Sequence, residues 1–144
     1  MAIIRDMMPT FELFQPASVD ETMDLLSRYE DGWVLSGGLD SFEWFKERHV
    51  RPGVVIDVSG VDGLKGIRDR DGGLEIGAMT TLTEIVTHET IRQRFGVLAS
   101  AAYAVATPQI RNQGTIAGNI AQDTRCWYYR GGWPCYREIG RAHV

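Results

Sequence analysis

Short apolar runs alternate with amphipathic stretches in the first third of the chain. The segment from Phe11 to Phe14 alternates and stops at Pro16, which predicts a short strand. Ser18-Val19-Asp20-Glu21 has the form of a capping box, in which the Ser18 hydroxyl accepts from the Glu21 amide while the Glu21 carboxylate reaches back. We expect a helix to follow and to end near Gly32, with an apolar stripe of Val19, Met23, Leu25 and Leu26.

Two further strands, a second helix and a hairpin are indicated before residue 80. Trp33 to Leu35 is a short apolar run that breaks at two glycines, after which Asp40 or Ser41 is placed to cap a helix containing Phe42, Trp44 and Phe45. The β-branched run from 53 to 58 predicts a buried strand. Ile67 and the segment 74–78 flank a polar turn, which predicts a hairpin.

The remaining sequence is mostly helical in pattern. A helix is predicted from Thr81 to His88, with Thr80 or Thr81 as its cap, and the segments 91–95 and 97–106 continue the helical run. Pro108 should stop that run, because proline disfavours helix in the residue before it. A second glycine-bearing turn follows at 114–119. The interleaving of strands and helices predicts a single mixed α and β unit.

Composition narrows the class of protein. The chain has 144 residues, of which 44% are hydrophobic and 24% charged, as expected for one globular domain. The net charge of −4 argues weakly against nucleic acid. No apolar run approaches the roughly 20 residues that span a bilayer, and no secretory signal is recognisable. With only two cysteines, a reducing, cytoplasmic location is expected, although co-export to the periplasm with a partner stays open.

Four features are candidates for chemistry, each with an ordinary structural alternative. The turn at 35–41 joins a strand to a helix, so its glycines and amides suit a phosphate, but a simple tight turn gives the same pattern. The turn at 114–119 offers a hydroxyl, an amide and a glycine, and packing alone also explains it. Five arginines after Pro108 favour a small anion or form a solvated rim. Cys126 and Cys135, with eight residues between them, lack zinc-finger spacing and cannot complete an iron–sulfur cluster alone, so ordinary thiols are the alternative.

The order of these motifs resembles one family. The series consists of Phe-x-x-x-x-Pro-x-Ser-x-x-Glu from Phe11, Gly-Gly-x-Asp at 37–40, Val-Ile-Asp-Val-Ser at 55–59, Ile-Gly-Ala-Met-Thr-Thr at 76–81 and Gln-Ile-Arg-Asn-Gln-Gly-Thr-Ile-Ala-Gly-Asn at 109–119. It is similar to the flavin subunit of the xanthine dehydrogenase and carbon monoxide dehydrogenase family, over about residues 10 to 137. The resemblance implies an α+β, FAD-binding PCMH-type fold (vanillyl-alcohol-oxidase-like), here the first lobe and the start of the second.

The resemblance also implies which residues contact FAD. In the family, two glycine turns embrace the FAD pyrophosphate. The corresponding positions here are Ser36, Gly37, Gly38, Leu39, Asp40, Ser41, Thr115, Gly118 and Asn119, with Thr80 and Thr81 as further candidates. Leu39 stands where threonine or histidine is common, and Ala117 stands where glycine is usual. Both departures are expected to alter the strength of binding rather than to prevent it.

The Cys-Trp-Tyr-Tyr-Arg stretch resembles an insertion found in a subset of these subunits. That subset is similar to 4-hydroxybenzoyl-CoA reductase and to the iron–sulfur-bearing aldehyde oxidoreductases. The resemblance implies that Cys126 and Cys135 begin a 4Fe–4S site in the intact protein. The implied function is an oxidoreductase subunit that passes electrons through FAD, with a molybdopterin-binding large subunit and a 2Fe–2S small subunit as partners. The alternatives are a stand-alone flavin oxidase, disfavoured because neither turn has a histidine, and a non-catalytic fragment.

The end of the sequence departs from the family pattern. Residues 1–137 are expected to form a FAD-binding domain that is incomplete at its carboxyl end, and residues 138–144 a non-native tail. Codons for Ile139 to Val144 can match a common short-read sequencing adapter, although a divergent terminus gives the same appearance. The isolated chain is then expected to be marginally stable, to bind FAD weakly or not at all, and to have no turnover by itself.

Overall fold

A parallel sheet of three strands organises the first half of the molecule. The computed structural model describes residues 7–133. The strand order is β1-β3-β2, with β3 parallel to both neighbours. Helix α1 joins β1 to β2, and helix α2 joins β2 to β3. The bounds are β1 Glu12–Phe14, α1 Val19–Arg28, β2 Trp33–Leu35, α2 Leu39–Glu47 and β3 Val54–Asp57, so the predicted strands are confirmed to within a residue.

The central strand β3 divides the first lobe (residues 8–64) into two apolar layers. Its side chains alternate between the two faces of the sheet, as extended backbone requires. Val54 and Ile56 pack with Leu25 of α1, and with Val58 and Val61 from two short 3-10 turns. Val55 packs on the opposite face with Leu35 and with Trp44 and Phe45 of α2. The sheet is thus covered on both faces, which explains why β3 is a continuous apolar run.

Helix α1 buries only part of the stripe that its sequence predicts, since Leu25 is buried and Leu26 packs against the core. Val19 and Met23 are 43% and 60% exposed, whereas Thr22 and Leu25 are buried. Thr22 tolerates burial because its hydroxyl donates to the Ser18 carbonyl at 2.8 Å. The predicted Ser18 cap is present, but the Glu21 carboxylate accepts from the Ala17 amide at 2.8 Å instead of completing the box on Ser18. The helix ends at Arg28.

Helix α2 starts earlier than predicted and has no side-chain cap. Its N-cap is Gly38, whose φ of 79° is the left-handed conformation that glycine adopts easily. Asp40 and Ser41 therefore lie inside the first turn, and the expectation that one of them caps the helix is wrong. The Ser41 hydroxyl instead accepts from the Trp33 indole N–H at 3.0 Å.

A hairpin and a group of short helices form the second lobe (residues 67–120). The predicted hairpin is confirmed as antiparallel β4 and β5. The predicted helical run is present but is broken into three pieces at His88 and Phe95. Leu82, Ile85, Ile91 and Ala102 form its core, against which the hairpin packs Ile67, Leu74 and Ile76. The bounds are β4 Ile67–Arg70, β5 Gly73–Ile76, α3 Leu82–Thr87, α4 Glu89–Arg94 and α5 Gly96–Ala104.

Pro108 begins a helix, and the helical run before it ends at Ala104, two residues earlier than predicted. Thr107 caps α6 through its hydroxyl, and Pro108 occupies the first helical position, where a missing N–H costs nothing. The predicted glycine turn at 114–119 is correct only in its first part, since Gly118 and Asn119 lie on a short helix. The bounds are α6 Pro108–Gln113, α7 Ile116–Ile120 and α8 Trp127–Arg130. The mixture of strands and helices confirms the predicted α+β class.

Candidate cofactor-binding cleft

The two glycine turns meet at a cleft that lies between the lobes, and both contribute to its lining. The cleft has a volume of about 580 Å³. From the first turn it is lined by Ser36, Gly37, Gly38, Leu39, Asp40 and Ser41, and from the second by Gly114, Thr115, Gly118 and Asn119. Apolar side chains complete the lining, including Val34, Leu82, Val105 and Ile110. The structure therefore brings together most of the residues that the sequence singled out, from positions about 80 apart.

The first turn lies at the carboxyl end of the parallel sheet. In open parallel sheets this edge is where ligands usually bind, because the loops there leave a crevice. Ser36 follows directly on β2, and Gly38 starts α2. No side chain caps the amides at the start of α2, whereas Ser18, Thr81 and Thr107 cap α1, α3 and α6. These amides, with the positive end of the helix dipole, are therefore available to an anionic group in the cleft.

The second turn is more tightly satisfied by its own side chains. Thr115 is buried at 3% exposure and caps α7, accepting from the Gly118 amide at 3.2 Å. A β-carbon on Gly118 would lie 3.1 Å from the Thr115 hydroxyl and 3.3 Å from that of Ser36. A side chain at position 118 would therefore have to displace these two hydroxyls by a few tenths of an ångström.

Direct contacts join the two turns. The Ser36 and Thr115 hydroxyls lie 2.5 Å apart. The Gln113 side-chain amide donates to the Gly37 carbonyl at 3.2 Å. A β-carbon on Gly37 would collide with the backbone carbonyl of Gln113. Because Gly37 has no side chain, the two turns can approach each other closely at this point. Sequence reasoning missed this role of Gly37.

Thr80 and Thr81 lie behind the second turn and do not line the cleft. The Thr80 hydroxyl is buried and donates to the Gly66 carbonyl at 3.0 Å. Thr81 caps α3 in a complete capping box with Glu84, which settles the choice between the two predicted caps. Their backbone pairs with the second turn through an isolated bridge between Thr81 and Thr115. These threonines position the turn, and their hydroxyls are engaged elsewhere.

The described arginines near the carboxyl end are each committed to a protein partner. Arg111 is buried and donates to the carbonyls of Val105 and Ala106 at 2.8 and 3.1 Å, which closes the end of α5. Arg125 forms an ion pair with Asp40 in the first turn. Arginine is absent from the cleft lining in the described part of the chain. The expected attraction of an anion to these arginines is therefore not a direct contact here.

The segment that carries Cys126 is fastened to helix α2. Arg130 pairs with Glu43 at 3.1 Å and its guanidinium lies 5.2 Å from the centre of the Trp44 ring. Cys126 itself is half-buried. The described residues contain no group of three or more side chains able to hold a metal ion. Cys135 and residues 138–144 lie outside the described residues, so the predicted cluster and tail remain predictions.

Two titratable groups near the sheet have shifted pKa values. Burial lowers the pKa of His49, and the nearby Arg130 charge lowers it further. Asp57, at the end of β3, is partly buried, which by itself raises its pKa. Hydrogen bonds from Ser59 and from the Gln15 side chain outweigh that effect, so the pKa of Asp57 lies below its ordinary value. Neither group lines the cleft.

Comparison with known proteins identifies the family. Residues 9–126 match the model of the FAD binding domain in molybdopterin dehydrogenase. The chain belongs to this family. The match ends at Cys126, so it covers both glycine turns. No helix among the described residues has the length and apolar character needed to cross a membrane.

Relatives and solved structures agree with this assignment. The chain is 39% identical over 116 residues to the nicotinate dehydrogenase FAD-subunit of Eubacterium barkeri, covering 79% of this chain and 39% of that relative. It is also 39% identical over 107 residues to the aldehyde oxidoreductase FAD-binding subunit PaoB of Escherichia coli K12, covering 73% and 33% of the two chains. A carbon monoxide dehydrogenase from Hydrogenophaga pseudoflava superposes with a TM-score of 0.79 at 36% identity, over 82% of this chain and 42% of that one.

The chain spans about 40% of the length of these relatives. Membership of the subset of this family that resembles 4-hydroxybenzoyl-CoA reductase stays a prediction.

Proposed function

We propose that this chain belongs to the FAD-binding electron-transfer subunit of a molybdenum-containing hydroxylase or dehydrogenase. Its FAD would pass electrons between iron–sulfur centres and an acceptor. The family match and relatives named as FAD subunits of dehydrogenases support the proposal. The observation that carries it is the cleft in which both family glycine turns meet.

The residues of the cleft fit a dinucleotide cofactor. A diphosphate is anionic and suits the uncapped amides at the start of α2, where Gly38 leaves the backbone unobstructed. Fused rings are flat and apolar and suit side chains such as Leu82, Val105 and Ile110. Leu39 supplies no hydroxyl to a phosphate, so binding at this position would rely on backbone amides. FAD would supply the redox chemistry, and the protein would place and orient it.

Asp40 is the one acidic side chain of the first turn that lines the cleft, and its charge opposes a phosphate. The ion pair with Arg125 offsets that charge, because the guanidinium contacts the carboxylate directly. Arg125 would therefore contribute to FAD binding without touching the cofactor. We assign Ser36 to Ser41, Thr115, Gly118 and Asn119 as the contacting residues, and Thr80 and Thr81 as supports of the second turn.

The partners that follow from this proposal are a molybdopterin-binding large subunit and a 2Fe–2S small subunit, in the cytoplasm. The superposed carbon monoxide dehydrogenase is described as a form that lacks the Mo-pyranopterin moiety of the molybdenum cofactor, so the complete enzyme holds that cofactor, which supports a molybdenum-containing partner. A stand-alone oxidase with covalently attached flavin is less favoured, since neither histidine nor cysteine occurs among the cleft-lining residues that the structure describes.

The experiment is to measure flavin content in the full-length subunit and in the variant Gly38→Asp. An aspartate there would place a negative charge at the start of α2 and should abolish FAD retention. The matched control is Gly72→Asp in the hairpin turn. Gly72 has a φ of 80°, almost the same as that of Gly38, and nothing lies within 4 Å of its added β-carbon.

The control accounts for backbone strain at a left-handed glycine. A β-carbon on Gly38 would also meet the Phe42 ring at 2.8 Å, so the melting temperature of the Gly38→Asp apoprotein is measured beside its flavin content. We expect the wild type and Gly72→Asp to carry FAD and Gly38→Asp to lack it. A wild-type subunit without bound flavin would refute the proposed function. Full flavin content in Gly38→Asp would refute the assignment of the first turn.

A further inference from the structure

We infer that Gln113 is a positioning residue for the flavin site, which it serves by holding the first glycine turn against the second from outside the cleft. This inference rests on the proposed function. Gln113 would act through the backbone of Gly37 and without contact with the cofactor.

The position of Gln113 carries the first step. Gln113 is the last residue of α6 and is exposed to solvent. It does not line the main cleft. It lines a separate groove on the α2 side of the first turn, together with Gly37, Phe42, Glu43 and Lys46. Any effect of Gln113 on a ligand in the main cleft must therefore pass through the turn.

The contacts between the turns give the second step. The Gln113 amide donates to the Gly37 carbonyl at 3.2 Å across a separation of 76 residues. On the cleft side, the Ser36 and Thr115 hydroxyls meet at 2.5 Å across 79 residues. The first turn is thus held from both sides, by Gln113 behind it and Thr115 in front. We call these two contacts the interlobe clasp.

The separate cores of the lobes explain why the clasp matters. Leu35 and the α2 aromatics belong to one core, while Leu82 and Ile85 belong to another. Met79 of the second lobe packs against the first-lobe core around Ile56, but the two clusters nearest the turns share no buried residue, so local contacts between the turns contribute to their spacing. A cofactor gripped by both turns requires one spacing, so contacts that preset it should raise the affinity.

Glycine 37 supports the same conclusion. Its α-carbon lies so near the Gln113 carbonyl that no side chain fits between them. The Gln113 side chain then donates to the carbonyl of the same glycine. Gln113 thus contacts Gly37 with both its backbone carbonyl and its side chain. The two contacts together fix the distance between the turns and the orientation of the Gly37 peptide group.

The test compares Gln113→Met with Gln109→Met in the full-length subunit. Methionine has nearly the length of glutamine but cannot donate a hydrogen bond. Gln109 lies on the same helix, is exposed and lines neither of the two grooves. The measurements are the dissociation constant for FAD, from flavin fluorescence, and the melting temperature of the apoprotein. A third variant, Gln113→Lys, restores an N–H donor on a long side chain.

We expect Gln113→Met to raise the FAD dissociation constant about fivefold, as for the loss of one ordinary hydrogen bond. Gln109→Met should match the wild type, Gln113→Lys should recover most of the affinity, and the apoprotein melting temperatures should agree. An unchanged FAD affinity in Gln113→Met overturns the inference while leaving the proposed function intact. A parallel loss of apoprotein stability without rescue by lysine means a merely structural role and also overturns it. A wild type that does not bind FAD overturns both.

Discussion

The substitution Gly37→Ala should disturb the cleft more than its size suggests. The added methyl group would collide with the backbone carbonyl of Gln113. A backbone carbonyl cannot rotate away as a flexible side chain can, so the two turns must move apart. Forcing a methyl group into a tight contact costs about 1–3 kcal/mol. Replacing glycine by alanine also restricts the unfolded chain, which returns about 0.4–1 kcal/mol.

The net cost of about 1–2 kcal/mol can appear in two measurements. If the turns stay in contact, the apoprotein is strained, and its melting temperature should fall by about 2–8 °C. If the turns separate, FAD must close them again, and its binding should weaken by about five- to thirtyfold. The assay is therefore a thermal melt of the apoprotein together with an FAD titration, both on the full-length subunit.

The control for this prediction is Gly96→Ala at the start of α5. No atom lies within 4 Å of its added β-carbon, so alanine should be neutral or slightly stabilising. Wild-type stability together with wild-type FAD affinity in Gly37→Ala would show that the close approach of the two turns is not maintained in solution. A similar loss in Gly96→Ala would show that glycine replacement in general, and not this contact, is responsible.

Two other predictions concern groups outside the cleft. His49 has a lowered pKa, from burial and then from Arg130, so the folded state disfavours its protonation. Stability should therefore be full above the ordinary value of 6.5 and decline as the pH falls below it, and His49→Gln should remove that part of the decline in melts at pH 7 and pH 5.5. Full-length subunit prepared without oxygen should contain about four irons beyond any carried by its partners, and Cys126→Ser should lose them. A wild type without iron would identify Cys126 as an ordinary thiol, and a flat pH profile would contradict the account of His49.

The sequence predicted where helices and strands occur better than it predicted which side of a helix is buried. The strand at β3 and the hairpin follow from β-branched runs and a polar turn, which are local signals. The predicted stripe of α1 was right for Leu25 and Leu26 and wrong for Val19 and Met23, because it was chosen by hydrophobicity. Thr22 is buried in place of Val19 or Met23, since a hydroxyl bonded to the preceding turn can enter an apolar layer. Such compensation depends on geometry and has no signature in composition.

The candidate site was predictable as two motifs but not as one structure. Each glycine turn has a local pattern, and the family resemblance associates both with the same cofactor. The contact of Ser36 with Thr115 joins residues 79 positions apart, and nothing in either motif specifies it. Thr80 and Thr81 are the opposite case. They are near the site in space and part of a recognisable motif. Their hydroxyls, however, bond to the Gly66 carbonyl and cap helix α3.

The strand order has a consequence for the way the chain acquires its structure. The central strand β3 is the last of the three in sequence, so β1 and β2 have no sheet partner until it has been made. Gln15 and Asp57, which meet at the end of this sheet, are separated by 42 positions. At a synthesis rate of about 5–20 residues per second, that interval lasts roughly 2–8 s on the ribosome. During that time β1 and α1 are nascent chain without the strand that pairs with β1 in the folded sheet, so this part of the sheet can form only after β3 has been synthesised.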